Sequence, residues 1–263
     1  MKPIASRDNP VFKSLRILAR GSSRGDDPLA ILEGVHLCAA CLDAGLVPVQ
    51  VVVGRSSFAH PEVATILARL PSLLTARAGY VFEDELYDTV SGVVQGVALL
   101  FVIEIPQVAV PTRVHVASVF LDRVQDPGNV GSILRSAAAA GVADVYASRE
   151  CAGLWSSKVV RAGMGAHFQL RLFAGVDLVA LRANTVIACL ATSSHAPISI
   201  YETDLREPCV WMFGHEGRGL DDALMRDAIE VHIPQPGGGE SLNVAAAAAV
   251  CFFEQVRQRT QAD

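Results

Sequence analysis

Three short stretches of this 263-residue chain place polar side chains among glycines, where a backbone can approach a ligand closely. The first runs Leu121-Asp122-Arg123-Val124-Gln125-Asp126-Pro127-Gly128-Asn129-Val130-Gly131-Ser132-Ile133-Leu134-Arg135-Ser136-Ala137. Asp-Pro-Gly signals a turn, and Asn129 suits a helix N-cap. Arg135 follows six residues later on the same early helix, so both side chains could face a ligand. A structural cap and an exposed helix charge are the alternative, although the small and apolar neighbours of Arg135 speak for a role. The second stretch, Phe213-Gly214-His215-Glu216-Gly217-Arg218-Gly219-Leu220, has Glu216 as its only carboxylate. Its Gly-x-x-Gly-x-Gly order is neither the dinucleotide fingerprint nor a phosphate loop. The third, Ile233-Pro234-Gln235-Pro236-Gly237-Gly238-Gly239-Glu240-Ser241-Leu242-Asn243, bends and then enters a helix opening with Val244 and five alanines. Ser241 and Asn243 sit beside the free N–H groups of that helix start. The alanines allow close approach to another backbone. A tight helix–sheet contact explains them, but it does not explain Ser-Leu-Asn.

These loops need elements to hold them. Continuous apolar strands are expected at Val114–Leu121, Val142–Ala147, Thr185–Ala191, Cys209–Phe213 and Ile229–Ile233. Helices are expected at Asn129–Ala140, Val176–Arg182, Gly219–Asp227 and Val244–Arg259. This pattern predicts a mostly parallel sheet covered on both faces, whose ligands bind at the carboxyl ends of the strands. Before it, helices at Pro10–Ala19, Val35–Ala44, Pro61–Leu70 and Glu83–Val90 alternate with strands at 30–34, Val47–Val53 and Val97–Ile103, which suggests a smaller α/β domain. The expected division is a first domain at 1–103, a proline-containing linker at 104–113 and a second domain at 114–263.

Half the residues are apolar and about a fifth charged, which excludes a disordered chain. No apolar run reaches the ~20 residues of a membrane span. No signal-peptide core follows Met1–Arg7, so a cytoplasmic protein is expected. Six scattered cysteines complete no zinc site, and the Cys38/Cys41 pair reads as reduced core thiols; no metal is expected. The net charge of −5 argues against a nucleic-acid partner, but its distribution matters more than its sum. Within residues 1–25, Lys2, Arg7, Lys13, Arg16, Arg20 and Arg24 face Asp8 alone. That segment is either a phosphate contact or a solvated terminus.

In this order, the three loops resemble the signature motifs of the SPOUT methyltransferases, in the TrmH/SpoU branch of RNA ribose methyltransferases. Asp126-Pro127-Gly128-Asn129-Val130-Gly131…Arg135 matches the first motif, Gly214–Leu220 the second, and Ile233-Pro234…Ser241-Leu242-Asn243-Val244 the third. The resemblance spans about residues 116–259. Residues 1–103 are similar to the family's small L30e-like substrate-binding domain, of which Ser6-Arg7-Asp8-Asn9-Pro10-Val11-Phe12-Lys13 is typical. The third motif departs from the family pattern with Gln235-Pro236-Gly237-Gly238-Gly239-Glu240.

The resemblance implies a trefoil-knotted sheet with helices on both faces, a homodimer built on the last helix, and S-adenosylmethionine as cofactor. Cofactor contacts would fall on Ala191, Thr192, Gly214, Gly219, Ile233 and Leu242. The catalytic group would be Asn129, Arg135, Glu216, Ser241 and Asn243, and the RNA contacts Arg7, Lys13, Arg16, Arg123 and Arg135. The implied reaction is methylation of a ribose 2′-hydroxyl, in ribosomal RNA rather than tRNA. The hydroxyl is a poor nucleophile, so oxygen, methyl carbon and sulfur must be held in line. A neutral guanidinium is costly, so Arg135 is expected to stabilise the developing alkoxide rather than act as a base. Asn129 would orient Arg135 or the ribose, and Glu216 would fix one of them. The alternatives are a non-catalytic RNA-binding member and a base-methylating member of the fold.

Overall fold

The computed structural model describes residues 1–21, 28–93, 96–238 and 241–261. Arg24 and Glu240 therefore lie outside the described residues. In chain order the elements are β1 (Lys2–Ile4), α1 (Pro10–Arg20), β2 (Leu29–Glu33), α2 (Val35–Asp43), β3 (Gln50–Gly54), α3 (Pro61–Ala68), α4 (Pro71–Thr75), β4 (Gly79–Phe82), α5 (Asp84–Val90) and β5 (Leu99–Glu104). They continue with β6 (Ser118–Leu121), α6 (Pro127–Ala139), β7 (Asp144–Ala147), α7 (Ser157–Gly163), β8 (Arg171–Phe173), α8 (Leu178–Ala183), β9 (Ala188–Thr192), β10 (Ile198–Ser199), β11 (Cys209–Phe213), α9 (Asp222–Met225), β12 (Ile229–His232) and α10 (Val244–Thr260).

The chain forms two compact units, Met1–Gln107 with Trp155–Phe168, and Val108–Leu154 with Gln169–Asp263. Residues 155–168, read from sequence as part of the second domain, thus pack with the first. The reason is apolar burial: Val160 is buried in one core with Leu32, Leu37 and Phe101, and Trp155 and Phe168 pack against it. The first unit holds a mixed five-stranded sheet in the order β1-β4-β3-β5-β2, with β5 antiparallel to both of its neighbours. The six cysteines are free and buried, and burial pushes the Cys41 thiol up to about 11.

The second unit holds an all-parallel seven-stranded sheet in the order β10-β12-β9-β11-β6-β7-β8. Side chains alternate across it, as the period of two requires. Val210 and Met212 pack with Leu178, Leu181 and Leu224 of α8 and α9 on one face. Trp211 and Phe213 point to the other face, where Phe213 meets the Phe252 ring of α10 edge-on at 5.7 Å. Both faces are therefore covered, and the strands are apolar throughout. α10 lies on α6 and β11, and its Ala245, Ala247 and Ala248 are buried, so the small side chains do serve close packing. Cys251 and Phe252 of α10 are buried in the chain's own core, while Phe253 is 49% exposed.

One buried side chain ties α10 to the start of β11. Gln255 accepts from the Trp211 indole N–H at 3.2 Å, and its amide donates to the carbonyls of Leu205 and Glu207, each at 3.1 Å. Gln255→Leu would leave those groups without partners. It is expected to cost about 2–4 kcal/mol and to lower the melting temperature by about 5–15 °C, measured by thermal denaturation.

Candidate functional site at the strand-order switch

The chain runs outward from β6 through β7 to β8, and later returns on the other side of β6 as β11. The carboxyl ends of β6 and β11 therefore feed loops that diverge, which opens a crevice at this point of a parallel sheet. The first two polar stretches leave from these two strands. They are joined at their base by Asp122, whose backbone N–H donates to the Phe213 carbonyl at 2.8 Å. The buried Asp122 carboxylate accepts from the Asp221 N–H at 3.0 Å, beyond the second loop, and from the Arg123 guanidinium at 2.8 Å. Asp122 thus grips both ends of that loop. Arg123, expected to meet RNA, lies against Asp122 in a left-handed backbone turn, with φ 57°.

The first helix begins earlier than its sequence suggests. Asp126, not Asn129, is the N-cap, accepting from the Asn129 N–H at 2.7 Å, and Pro127 opens the helix. The fixed φ of proline suits the first helical position, where no N–H is needed. Released from capping, the Asn129 side chain bridges the other two loops. Its amide donates to Glu216 at 3.0 Å, and its carbonyl oxygen accepts from the Asn243 amide at 2.9 Å. The Asn243 carbonyl oxygen in turn caps α10 by accepting from the N–H groups of Ala245 and Ala246. One hydrogen-bonded line, Glu216–Asn129–Asn243, therefore joins all three stretches.

The second loop folds back on itself. His215 and Gly219 exchange backbone hydrogen bonds at 3.0 and 2.8 Å, and Gly219 takes φ +68°. This turn absorbs residues expected to be helical, so α9 begins only at Asp222, capped by Asp221. Burial raises the Glu216 carboxyl, but hydrogen bonds from the Asn129 side chain and from the backbone at Glu216, Asp126 and Gln125 outweigh it and hold it below its ordinary value of 4.5. A carboxyl depressed in the folded state stabilises that state above its unfolded value, and the contribution is lost as pH falls through the folded one. The bridge to Asn129 should therefore stay charged at neutral and mildly acidic pH. Carbon-detected NMR titration of Glu216 should give a midpoint below that of an ordinary glutamate; a midpoint at or above it would remove this account.

The residues expected to touch a cofactor fall at adjoining strand ends. Ala191 and Thr192 end β9, Gly214 follows β11 and Ile233 follows β12, and these three strands are neighbours in the sheet. Ala191 is fully buried and paired in the sheet with Met212 and Glu230 on its two sides, so it offers a ligand no open surface. Leu242 is 40% exposed just before α10. Among the described residues, the backbone groups of Gly214, Ile233 and Leu242 make no hydrogen bond. Free peptide donors and acceptors beside exposed apolar side chains fit a ligand with a flat apolar face and a polar rim, as adenosine has. No group of three or more metal-ligating side chains occurs among the described residues.

Other expected members stand apart from the line. Arg135 is exposed on α6 and makes no hydrogen bond or ion pair among the described residues, so Asn129 orients toward Glu216 and Asn243 rather than toward it. Ser241 is exposed and likewise unbonded among the described residues. In the first unit Arg7, Lys13 and Arg16 are exposed, and Lys13 pairs with Asp8 at 2.9 Å. The sequence reading passed over Asp122, whose signal was a carboxylate closing an apolar strand.

A parallel sheet that gathers polar loops at its switch point defines an α/β domain built to bind and act on a ligand. The SpoU rRNA methylase family matches residues 117–253, over half of the sequence and all three loops, and the chain belongs to that family. An uncharacterized tRNA/rRNA methyltransferase of Synechocystis is 29% identical, the alignment covering 97% of this chain and 94% of that protein. The 23S rRNA (guanosine(2553)-2′-O)-methyltransferase RlmP of Bacillus subtilis is 28% identical, over 96% and 98%. The AdoMet-bound rRNA methyltransferase from Sinorhizobium meliloti matches 97% of each chain with a TM-score of 0.81 and 28% identity.

Proposed function

We propose that this chain transfers the methyl group of S-adenosylmethionine to a ribose 2′-hydroxyl of ribosomal RNA. The observation that carries this reading is the line Glu216–Asn129–Asn243, which unites the three family motifs at one crevice. The chain is an S-adenosylmethionine-dependent RNA methyltransferase. Bound there, the cofactor supplies an electrophilic methyl group. The peptide groups of Gly214, Ile233 and Leu242 would hold it, together with that of Thr192, while Gly219 shapes the turn that leaves Gly214 accessible.

Asn129, fixed on both sides, presents a rigid amide to the ribose. Ser241 binds the sugar beside it. Arg135 places a positive charge where the 2′-oxygen becomes negative, which lowers the barrier without needing a neutral guanidinium. Arg7, Lys13, Arg16 and the free edge of Arg123 neutralise RNA phosphates, and residues 1–103 serve as the RNA-reading domain. Ribosomal RNA is favoured over tRNA because RlmP, similar over nearly its whole length, is named for ribosomal RNA. The exposed Phe253 supports a homodimer through α10, and the crossing from the end of β12 to Asn243 beside α6 supports the knotted threading. A cytoplasmic location follows from the substrate.

The test is incubation of the full chain with labelled S-adenosylmethionine and unmodified large-subunit ribosomal RNA, followed by nucleoside mass spectrometry. A 2′-O-methylated nucleoside is expected. A methylated base would overturn the ribose assignment, and the absence of any methylated RNA would overturn the whole reading.

A further inference from the structure

The second loop carries the only histidine in the three polar stretches, His215. Three successive backbone N–H groups converge on it. Those of Arg218 and Gly219 donate to its carbonyl at 3.2 and 2.8 Å, and that of Gly217 donates to its ring Nδ1 at 2.9 Å. Any residue supplies the carbonyl. The third bond needs a side chain with an acceptor as far from Cα as Nδ1 is. The ring lies along the Gly217 peptide, where an added Cβ would meet Cε1 at 3.7 Å and Nδ1 at 3.8 Å, an ordinary contact. Gly217 is thus held by the hydrogen bond, whereas Gly214 is held by lack of space. The loop is exposed from Glu216 to Gly219, so its shape depends on these bonds more than on packing. A neutral imidazole that accepts at Nδ1 carries its proton on Nε2. Nε2 makes no hydrogen bond, and the ring meets no carboxylate, among the described residues.

We propose that His215 is a positioning residue for methyl transfer and is not the base that takes the ribose proton, which rests on the reading of this loop as part of the methyl-transfer site. The ring holds the turn from Gly217 to Gly219 in shape, and the residues on either side of His215 depend on that turn. Glu216 follows it and reaches the Asn129 amide at 3.0 Å. Gly214 precedes it and offers its peptide group to the cofactor. A histidine beside a hydroxyl to be methylated would otherwise suit a general base. The geometry denies that use. Nδ1 has its lone pair on the Gly217 N–H and Nε2 carries the ring proton, so neither nitrogen can accept from the ribose hydroxyl. Moving the ring proton to Nδ1 would free Nε2, but it would break the bond to Gly217 and release the loop.

The experiment uses the full chain and two variants. His215→Phe keeps a ring and removes the acceptor. His215→Asn removes the ring and keeps an acceptor that can reach the N–H two residues on, as asparagine does in turns. Affinity for S-adenosylmethionine is measured by calorimetry, and methyl transfer by single turnover on an unmodified transcript of large-subunit ribosomal RNA. His215→Phe is expected to weaken cofactor binding about three- to tenfold and to slow methyl transfer by a similar factor, while His215→Asn restores both to within about twofold of wild type. Nitrogen NMR of histidine-labelled wild-type protein, with His215→Asn identifying the signal, should show the neutral ring protonated at Nε2; protonation at Nδ1 overturns the proposal. A general base would lose ~10²–10⁴-fold in rate in both variants at unchanged cofactor affinity. A ring that merely packs would be replaced by Phe and not by Asn. Either pattern, or wild-type values in both variants, overturns the proposal. Where His215→Phe does not fold, the tautomer and His215→Asn decide, and an impaired His215→Asn overturns it. Wild-type protein that methylates RNA while the variants break the expected order leaves the activity standing and removes only the positioning role. Wild-type protein that binds S-adenosylmethionine and methylates no RNA removes the proposed reaction, and the affinities and the tautomer still decide whether His215 shapes the loop.

Discussion

Gly214→Ala is expected to weaken S-adenosylmethionine binding roughly 10²-fold. The reason is space rather than backbone freedom. A Cβ at this position would stand 2.3 Å from the Gly219 carbonyl carbon and the Leu220 nitrogen, and 2.4 Å from the Gly219 oxygen. These are backbone atoms of the same loop, held by the His215–Gly219 bridge, and they cannot rotate aside as a side chain would. The loop must open, which draws Glu216 away from Asn129 and moves the peptide group proposed to hold the cofactor. Overpacking of this kind costs about 3 kcal/mol, which corresponds to a loss of roughly 10²-fold in affinity. Calorimetric titration with S-adenosylmethionine measures it directly. A wild-type Kd in a folded Gly214→Ala protein would show that the loop tolerates the methyl group and lies outside the cofactor site.

Arg135→Ala should behave in the opposite way, retaining cofactor affinity while methyl transfer falls by ~10²–10³-fold, as for loss of one charge acting on a developing oxyanion. Arg135 belongs to α6, whereas the proposed cofactor contacts come from the ends of β9, β11 and β12. It is exposed and unpaired among the described residues, so its removal breaks no packing and should leave the melting temperature unchanged. That separates a catalytic charge from a structural one, for which activity and stability would fall together. Single-turnover methylation of a ribosomal RNA transcript and calorimetry on one preparation make the comparison. Near-wild-type turnover would remove Arg135 from the chemistry.

The large parallel sheet was legible because its central strands are continuous apolar runs: Cys209–Phe213 can be read from composition alone. Much of the smaller sheet was not. β1 exposes most of its side chains and gains its place only by pairing with β4, some eighty residues later. In the large sheet, the edge strands β8 and β10 span three and two residues, too short for a period to show. The site was legible as three motifs, but its wiring was not. Asn129 looks like a cap, and only the prior claim of Asp126 and Pro127 on the helix start turns its side chain toward Glu216 and Asn243. Asp122 closes an apolar strand and gives no sign in sequence that it will grip a loop returning a hundred residues later.

The line through Asn129 also dictates when the enzyme can exist. Its partners stand 87 and 114 positions further along, so the line closes only after the start of α10 has been made. A nascent chain that has emerged only through β12 can pair Asn129 with Glu216, but it has neither Asn243 nor the α10 surface that seats it. Such a chain lacks the complete line. The ribosome that makes this protein must therefore translate past α10 before the product can act on ribosomal RNA.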